Sequence, residues 1–183
     1  MQNSGQNRRA GSAQPNKNEI FDVVNINDEV IDQQPRHIVH ERNLLHRAVH
    51  ALVYDENNRL YLQKRSLCKD TNPGLWDTSM GGHLESGESY DQAAVRETFE
   101  ELGIELDDLP QRLFKLQASK NTGYEFIWVY KIIYSGTIQP CQIEISQGRW
   151  LTADELSMWM SQSPDIFTST LSVILDKCKQ QGL

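Results

Sequence analysis

Cysteine is scarce in this chain, with Cys68, Cys141 and Cys178 the three among 183 residues. An odd number without metal-ligand spacing excludes a disulfide framework and points to free thiols in a reducing compartment. Basic residues are also in deficit, 18 Lys and Arg against 25 Asp and Glu, for a net charge of −7. That balance argues against general nucleic-acid binding, which needs a concentrated basic face, but leaves room for a phosphorylated ligand held by local charge. No apolar run approaches the roughly 18 residues of a membrane span, and the first residues lack the apolar core of a signal peptide. The expectation is a soluble, cytoplasmic protein with neither membrane nor nucleic acid as partner.

The length is ample for one domain with a substantial core and short for two. Residues 1–18, rich in Gln, Asn, Gly and Ser, are expected to form a disordered tail, because they cannot bury enough apolar surface to order themselves. Residues 19–183 then form the single domain. Ile20 to Val24 and Glu29 to Ile31 suggest a strand pair around a polar turn, after which Pro35 begins a connecting segment through Leu45. Arg47 to Tyr54 and Leu60 to Arg65 flank Asp55-Glu56-Asn57-Asn58, a hairpin signal. Trp76 to Met80 reads as a short strand feeding a glycine-bearing loop over Gly81 to Glu88. Further strands are predicted at Arg112 to Ala118, Tyr124 to Tyr134 and Gly148 to Leu151, with closing helices after Thr152 and over Thr168 to Gln180. Mixed strands around one central helix, with helices at the end, make the fold class an α/β sandwich with a mixed β-sheet.

The central helix is the most informative segment. At helical spacing Glu97, Glu100 and Glu101 fall in one arc, and Ala94, Val95, Thr98, Phe99 and Leu102 in the roughly opposite one. Like charges three and four residues apart repel, and anions in the last turn before Gly103 oppose the helix dipole. A divalent cation reverses both penalties, and hard oxygen donors of this kind suit Mg²⁺ or Mn²⁺.

Gly82, Glu88, Arg96, Glu97, Glu100, Glu101, Gly103 and Ile104 all fall in register with the box of the Nudix family, which this segment resembles. Thr98 departs from it, standing where the family usually has an aliphatic residue. The resemblance implies a three-layer α/β/α sandwich, and one or more Mg²⁺ or Mn²⁺ ions held by Glu97, Glu100, Glu101 and the Gly82 carbonyl. The implied activity is hydrolysis of a diphosphate linkage in a nucleoside diphosphate derivative or another small organic diphosphate, and the family's habit implies a homodimer. Arg96 is suited to hold Glu88 by a bidentate pair. The base that takes the water's proton stays open among Glu101, Glu144 and Glu125. Arg65 is the first choice for a phosphate contact, and Trp76, with Tyr124, Phe126 and Trp128, for stacking on an organic group.

A second resemblance is carried by Leu45-His46-Arg47-Ala48, Leu62-Gln63-Lys64-Arg65-Ser66, Asn72-Pro73-Gly74-Leu75-Trp76 and Gly82-His83, which look like the isopentenyl-diphosphate isomerase branch of the same superfamily. By position that likeness implies a second metal site of His40, His46 and His83, with Glu125. The isomerases also place a cysteine just before the segment matching Gly82-His83, whereas this chain has Met80-Gly81, neither of which moves a proton. Hydrolysis is therefore favoured over double-bond migration. A ligand-sensing module without catalysis is the third class, and retention of all three box glutamates argues against it.

Overall fold

A computed structural model describes residues 19–183; the tail expected over residues 1–18 lies outside the described residues. Among the described residues, nine strands and four α-helices follow in chain order. β1 (Ile20–Val24) and β2 (Val30–Pro35) form a separate antiparallel pair, and α1 (Arg36–Glu41) follows directly. The connecting segment expected from Pro35 to Leu45 is thus partly helical. Arg36 and Val39 are buried in it, so tertiary packing stabilises a helix too short to stand alone.

The main sheet comprises β3 (His46–Tyr54), β4 (Leu60–Arg65), β5 (Trp76–Asp77), β6 (Met80–His83), β7 (Gln111–Leu116), β8 (Glu125–Ile133) and β9 (Ile145–Leu151). β3 runs parallel to β8, and the other pairings are antiparallel. α2 (Tyr90–Leu102) covers one face. α3 (Ala153–Gln162) and α4 (Ser169–Gln181) cover the other, giving the three layers expected. Strand alternation sets the division: Val49, Ala51 and Val53 of β3 pack toward α2, while Ala48 and Leu52 pack toward α3 and α4.

The hairpin expected between Tyr54 and Leu60 forms only at its turn. β3 and β4 share the single pair Tyr54 and Leu60, then diverge. β8 and β9 occupy their outer edges, so the segment Trp76–His83 enters between them, pairing first with β4 as β5 and then with β3 as β6. This wedge opens a cavity of about 1260 Å³ lined by β3, β4, β5, β6 and α2. Gly81 and Gly82, expected in a loop, therefore lie within a strand.

α2 starts on a reciprocal cap, with the Ser89 hydroxyl accepting from Gln92 N and the Gln92 side chain accepting from Ser89 N at 3.0 Å. It stops where Gly103 takes φ +67°, a conformation that costs other residues energy. The arcs drawn from helical spacing need one correction. Phe99 is 47% exposed, whereas Glu101 is 3% exposed, because α2 rolls its Ala93, Ala94, Thr98 and Leu102 stripe onto the sheet and carries Glu101 under with it. Ser89→Ala removes the cap and is expected to lower the unfolding free energy by about 1 kcal/mol, seen as a lower urea midpoint at unchanged slope.

Candidate active site

Arg96 is the hub of the acidic cluster. Its Nε and Nη2 donate to the two carboxylate oxygens of Glu88 at 2.9 and 2.8 Å, the bidentate pair expected from sequence. Nη1 donates to Glu97 at 2.8 Å and Glu100 at 3.0 Å, and Nη2 also reaches the His83 carbonyl at 2.9 Å. One guanidinium thus ties β6, the following loop and α2 together. Glu101 lies deeper, accepting from Gln63 Nε2 at 3.0 Å and Gly81 N at 3.2 Å. Burial pushes the Glu97 and Glu101 carboxyls above the usual range; the Glu101 charge adds to this at Glu97, and Glu144 does so at Glu101. Gly82 is required here by close approach, since a Cβ on it would sit 2.1 Å from Glu97 Cδ. Crowded, partly desolvated carboxylates with hard oxygen donors fit a divalent cation of the Mg²⁺ or Mn²⁺ type.

The second cluster draws on four elements: α1 supplies His40, β3 His46, β6 His83 and β8 Glu125, with ligand atoms all within 4.8 Å of one another. His46 Nδ1 lies 2.8 Å from the Leu44 carbonyl, which only accepts, so that nitrogen carries the proton. In the neutral ring Nε2 is then a lone pair, buried and without a hydrogen bond, facing Glu125 Oε1 at 3.5 Å. Two acceptors aimed at each other in a buried site repel, and a proton or a metal cation between them relieves the repulsion. His40 repeats the pattern, with Nδ1 turned to Asp70 at 3.4 Å and Nε2 turned inward. Arg36 secures Asp70 and Glu19 at 3.1 Å each, and Phe21 stacks on His83 at 4.7 Å. In His40 and His46 the outer nitrogen is fixed by a carboxylate or carbonyl acceptor, which matches how proteins orient metal ligands, whereas His83 turns Nδ1 to Arg36 Nη1 at 3.4 Å and Nε2 to Glu125 at 3.0 Å.

Other predicted residues divide between those brought to the cavity and those kept away. Glu144 lines it and pairs with Lys69. Arg65 lines it too, but its donors are turned to the Thr71 carbonyl at 3.1 Å, Thr71 Oγ1 at 3.2 Å and Asp77 at 3.4 Å, so its first task is to hold the 66–74 loop. Glu125 belongs to the histidine cluster rather than to a substrate contact. Trp76 must be corrected: it is buried on the α3 and α4 face, edge-on to Trp159 at 5.0 Å, because β5 turns it away from the cavity. Phe126 is buried, Trp128 lies under Arg112 at 4.7 Å, and Phe99 is the exposed aromatic at the cavity rim. Arg36, Asp70 and Thr78 have no motif to announce them, and Gln63, though inside one of the segments that carry the second resemblance, is given no role by it; tertiary packing brings all four to the site.

A family model described as NUDIX domain matches residues 44–169, more than half of the chain. An uncharacterised Nudix hydrolase of Streptomyces coelicolor is 35% identical over 140 residues, covering 75% of this chain and 77% of its own. An isopentenyl-diphosphate Delta-isomerase of Serratia proteamaculans is 31% identical over 153 residues, covering 82% and 86%. A crystal structure of a Deinococcus radiodurans protein superposes with TM-score 0.77 at 30% identity, covering 87% of this chain and 99% of that one.

Two measurements check the cation sites. Raised carboxyls mean that the metal-free fold binds protons more tightly than the unfolded chain, so their contribution to stability is present at acid pH and is lost as pH rises from the ordinary carboxylate range toward neutrality. In EDTA, Glu97→Gln is therefore expected to gain melting temperature relative to wild type between pH 5 and pH 8. In Mn²⁺ calorimetry, His46→Ala is expected to remove one class of binding and leave that of the box glutamates intact.

Proposed function

The chain belongs to the Nudix family and is a Nudix hydrolase, and we propose that it cleaves the diphosphate linkage of a small organic diphosphate with Mg²⁺ or Mn²⁺ held by Glu97, Glu100, Glu101 and the Gly82 carbonyl. The observation that carries this reading is the charge of the cavity wall. Nine carboxylates line it against four Lys and Arg side chains, and each of those four is already paired with an acid. A diphosphate anion has no net attraction to such a wall by itself. Bound divalent cations supply the missing positive charge and lower the pKa of a coordinated water.

The chain's own residues do the rest. Arg96 holds Glu97 and Glu100 at fixed spacing, so the acidic face is formed before substrate arrives. Gln63 and Gly81 N orient Glu101 through one carboxylate oxygen. Lys69 closes the rim by pairing with Glu144. The exposed Phe99 ring, beside Val95 and Leu106, offers an apolar rest for the organic portion.

A second reading is isomerisation of an isopentenyl-type diphosphate, favoured by the assembled histidine cluster and by the isomerase among the relatives. Against it stands Gly81, which presents no side chain to protonate or deprotonate a carbon. Incubating the protein with Mg²⁺ and ADP, ADP-ribose, thiamine diphosphate or isopentenyl diphosphate, with mass spectrometry of the products, tests both. Hydrolysis is expected, with Glu97→Gln reducing it on the order of 100-fold or more. An isomer of unchanged mass makes the second reading correct, and no turnover of any kind leaves a ligand-sensing module.

A further inference from the structure

Each carboxylate considered as the proton acceptor is already engaged: Glu144 by Lys69, Glu101 by Gln63 and Gly81 N, and Glu125 by His83 at 3.0 Å. A different base lies on the cavity floor. His50, in the middle of β3, lines the cavity while only 6% exposed. Its Nδ1 is 2.6 Å from Thr78 Oγ1, and that hydroxyl donates to the Met80 carbonyl at 2.9 Å. A carbonyl only accepts, so the hydroxyl proton is spent there and His50 Nδ1 carries the ring's own proton. Nε2 is left as a lone pair. Burial favours the neutral ring, against the pull of Asp77 and Glu125 toward the charged one.

The neighbouring strand is shaped around this ring. A Cβ on Gly81 would lie 2.8 Å from His50 Cε1 and 3.3 Å from Nε2, so any side chain at residue 81 would contest the space the imidazole fills. Gly81 N is in turn 3.2 Å from Glu101 Oε2, which puts the ring and the buried glutamate on either side of one residue.

Resting on the hydrolase reading above, we infer that His50 Nε2 accepts the proton of the water that attacks the diphosphate. In this step a water O–H bond breaks and its electron pair forms the new O–P bond. The bond from phosphorus to the bridging oxygen breaks, the leaving phosphate takes that electron pair, and the proton rests on Nε2. The imidazolium then returns it to the leaving oxygen or to solvent. Thr78 is a positioning residue, acting through Nδ1 to keep Nε2 the acceptor.

The test is cleavage of whichever diphosphate of the panel the wild type turns over fastest, with Mn²⁺ binding measured alongside. His50→Gln keeps an amide near the Nε2 position but takes up no proton. It is expected to lose about 10²–10⁴-fold in kcat with little change in KM or in Mn²⁺ affinity. In His50→Ala, added imidazole is expected to restore part of the rate, which a purely structural role for the ring would not allow. A His50→Gln kcat within about twofold of wild type overturns the assignment. Loss of a bound Mn²⁺ equivalent in that variant overturns it as well, making the ring a ligand. Absence of hydrolysis by the wild type sinks the reaction and its base together, whereas hydrolysis that survives the variants sinks the base alone.

Discussion

The arrangement depends on one guanidinium. Arg96 is the cation that bonds Glu88, Glu97 and Glu100, and it also reaches the carbonyl at the end of β6. Its planar fork serves both Glu88 oxygens at once, which an ammonium group could not do with the same geometry. Without it, the loop from His83 to Ser89 would have no side-chain tie to the third turn of α2. The glutamates would then face each other with solvent as their main screen. The pairing is short in sequence and local in space, spanning eight residues.

Two adjacent glycines carry the next constraint. Because strand residues alternate between faces, Gly81 and Gly82 open space on opposite sides of β6. One side admits Glu97 from α2 and the other admits the His50 ring from β3. The glycines thus let helix and strand approach one short strand from both sides. Backbone pairing from Ala48 to Ala51 holds that strand in register throughout, so the cleft is set by the sheet and not by a loop.

Local signals made much of this legible in sequence. The stop at Gly103 and the acidic spacing of α2 involve residues within a few positions of one another, and strand alternation places Ile127 and Val129 of β8 toward α3 and α4 and Trp128 and Tyr130 toward α2. Nonlocal geometry was not legible. The divergence of β3 from β4 depends on where Trp76–His83 inserts, which no turn residue encodes, and it turned Trp76 away from the cavity while bringing His50 to it. The histidine cluster is the intermediate case. The isomerase resemblance named His40, His46, His83 and Glu125 by position, whereas α1, which carries His40, was not expected, because its six residues show too little periodicity to be recognised.

Charge reversal links these features to the chemistry. A cavity whose cations are all paired with acids cannot hold a diphosphate by charge complementarity, however well shaped it is. The same wall, once divalent ions sit among its carboxylates, becomes attractive to that anion, and the burial that makes Glu97 and Glu101 reluctant to ionise then strengthens every contact to the ion. The unpaired lone pair of His46 repeats this logic at the other end of the cavity, with softer nitrogen donors. His50 lies on the floor of the same cavity as a neutral ring, so it neither competes for the substrate's charge nor repels the ions.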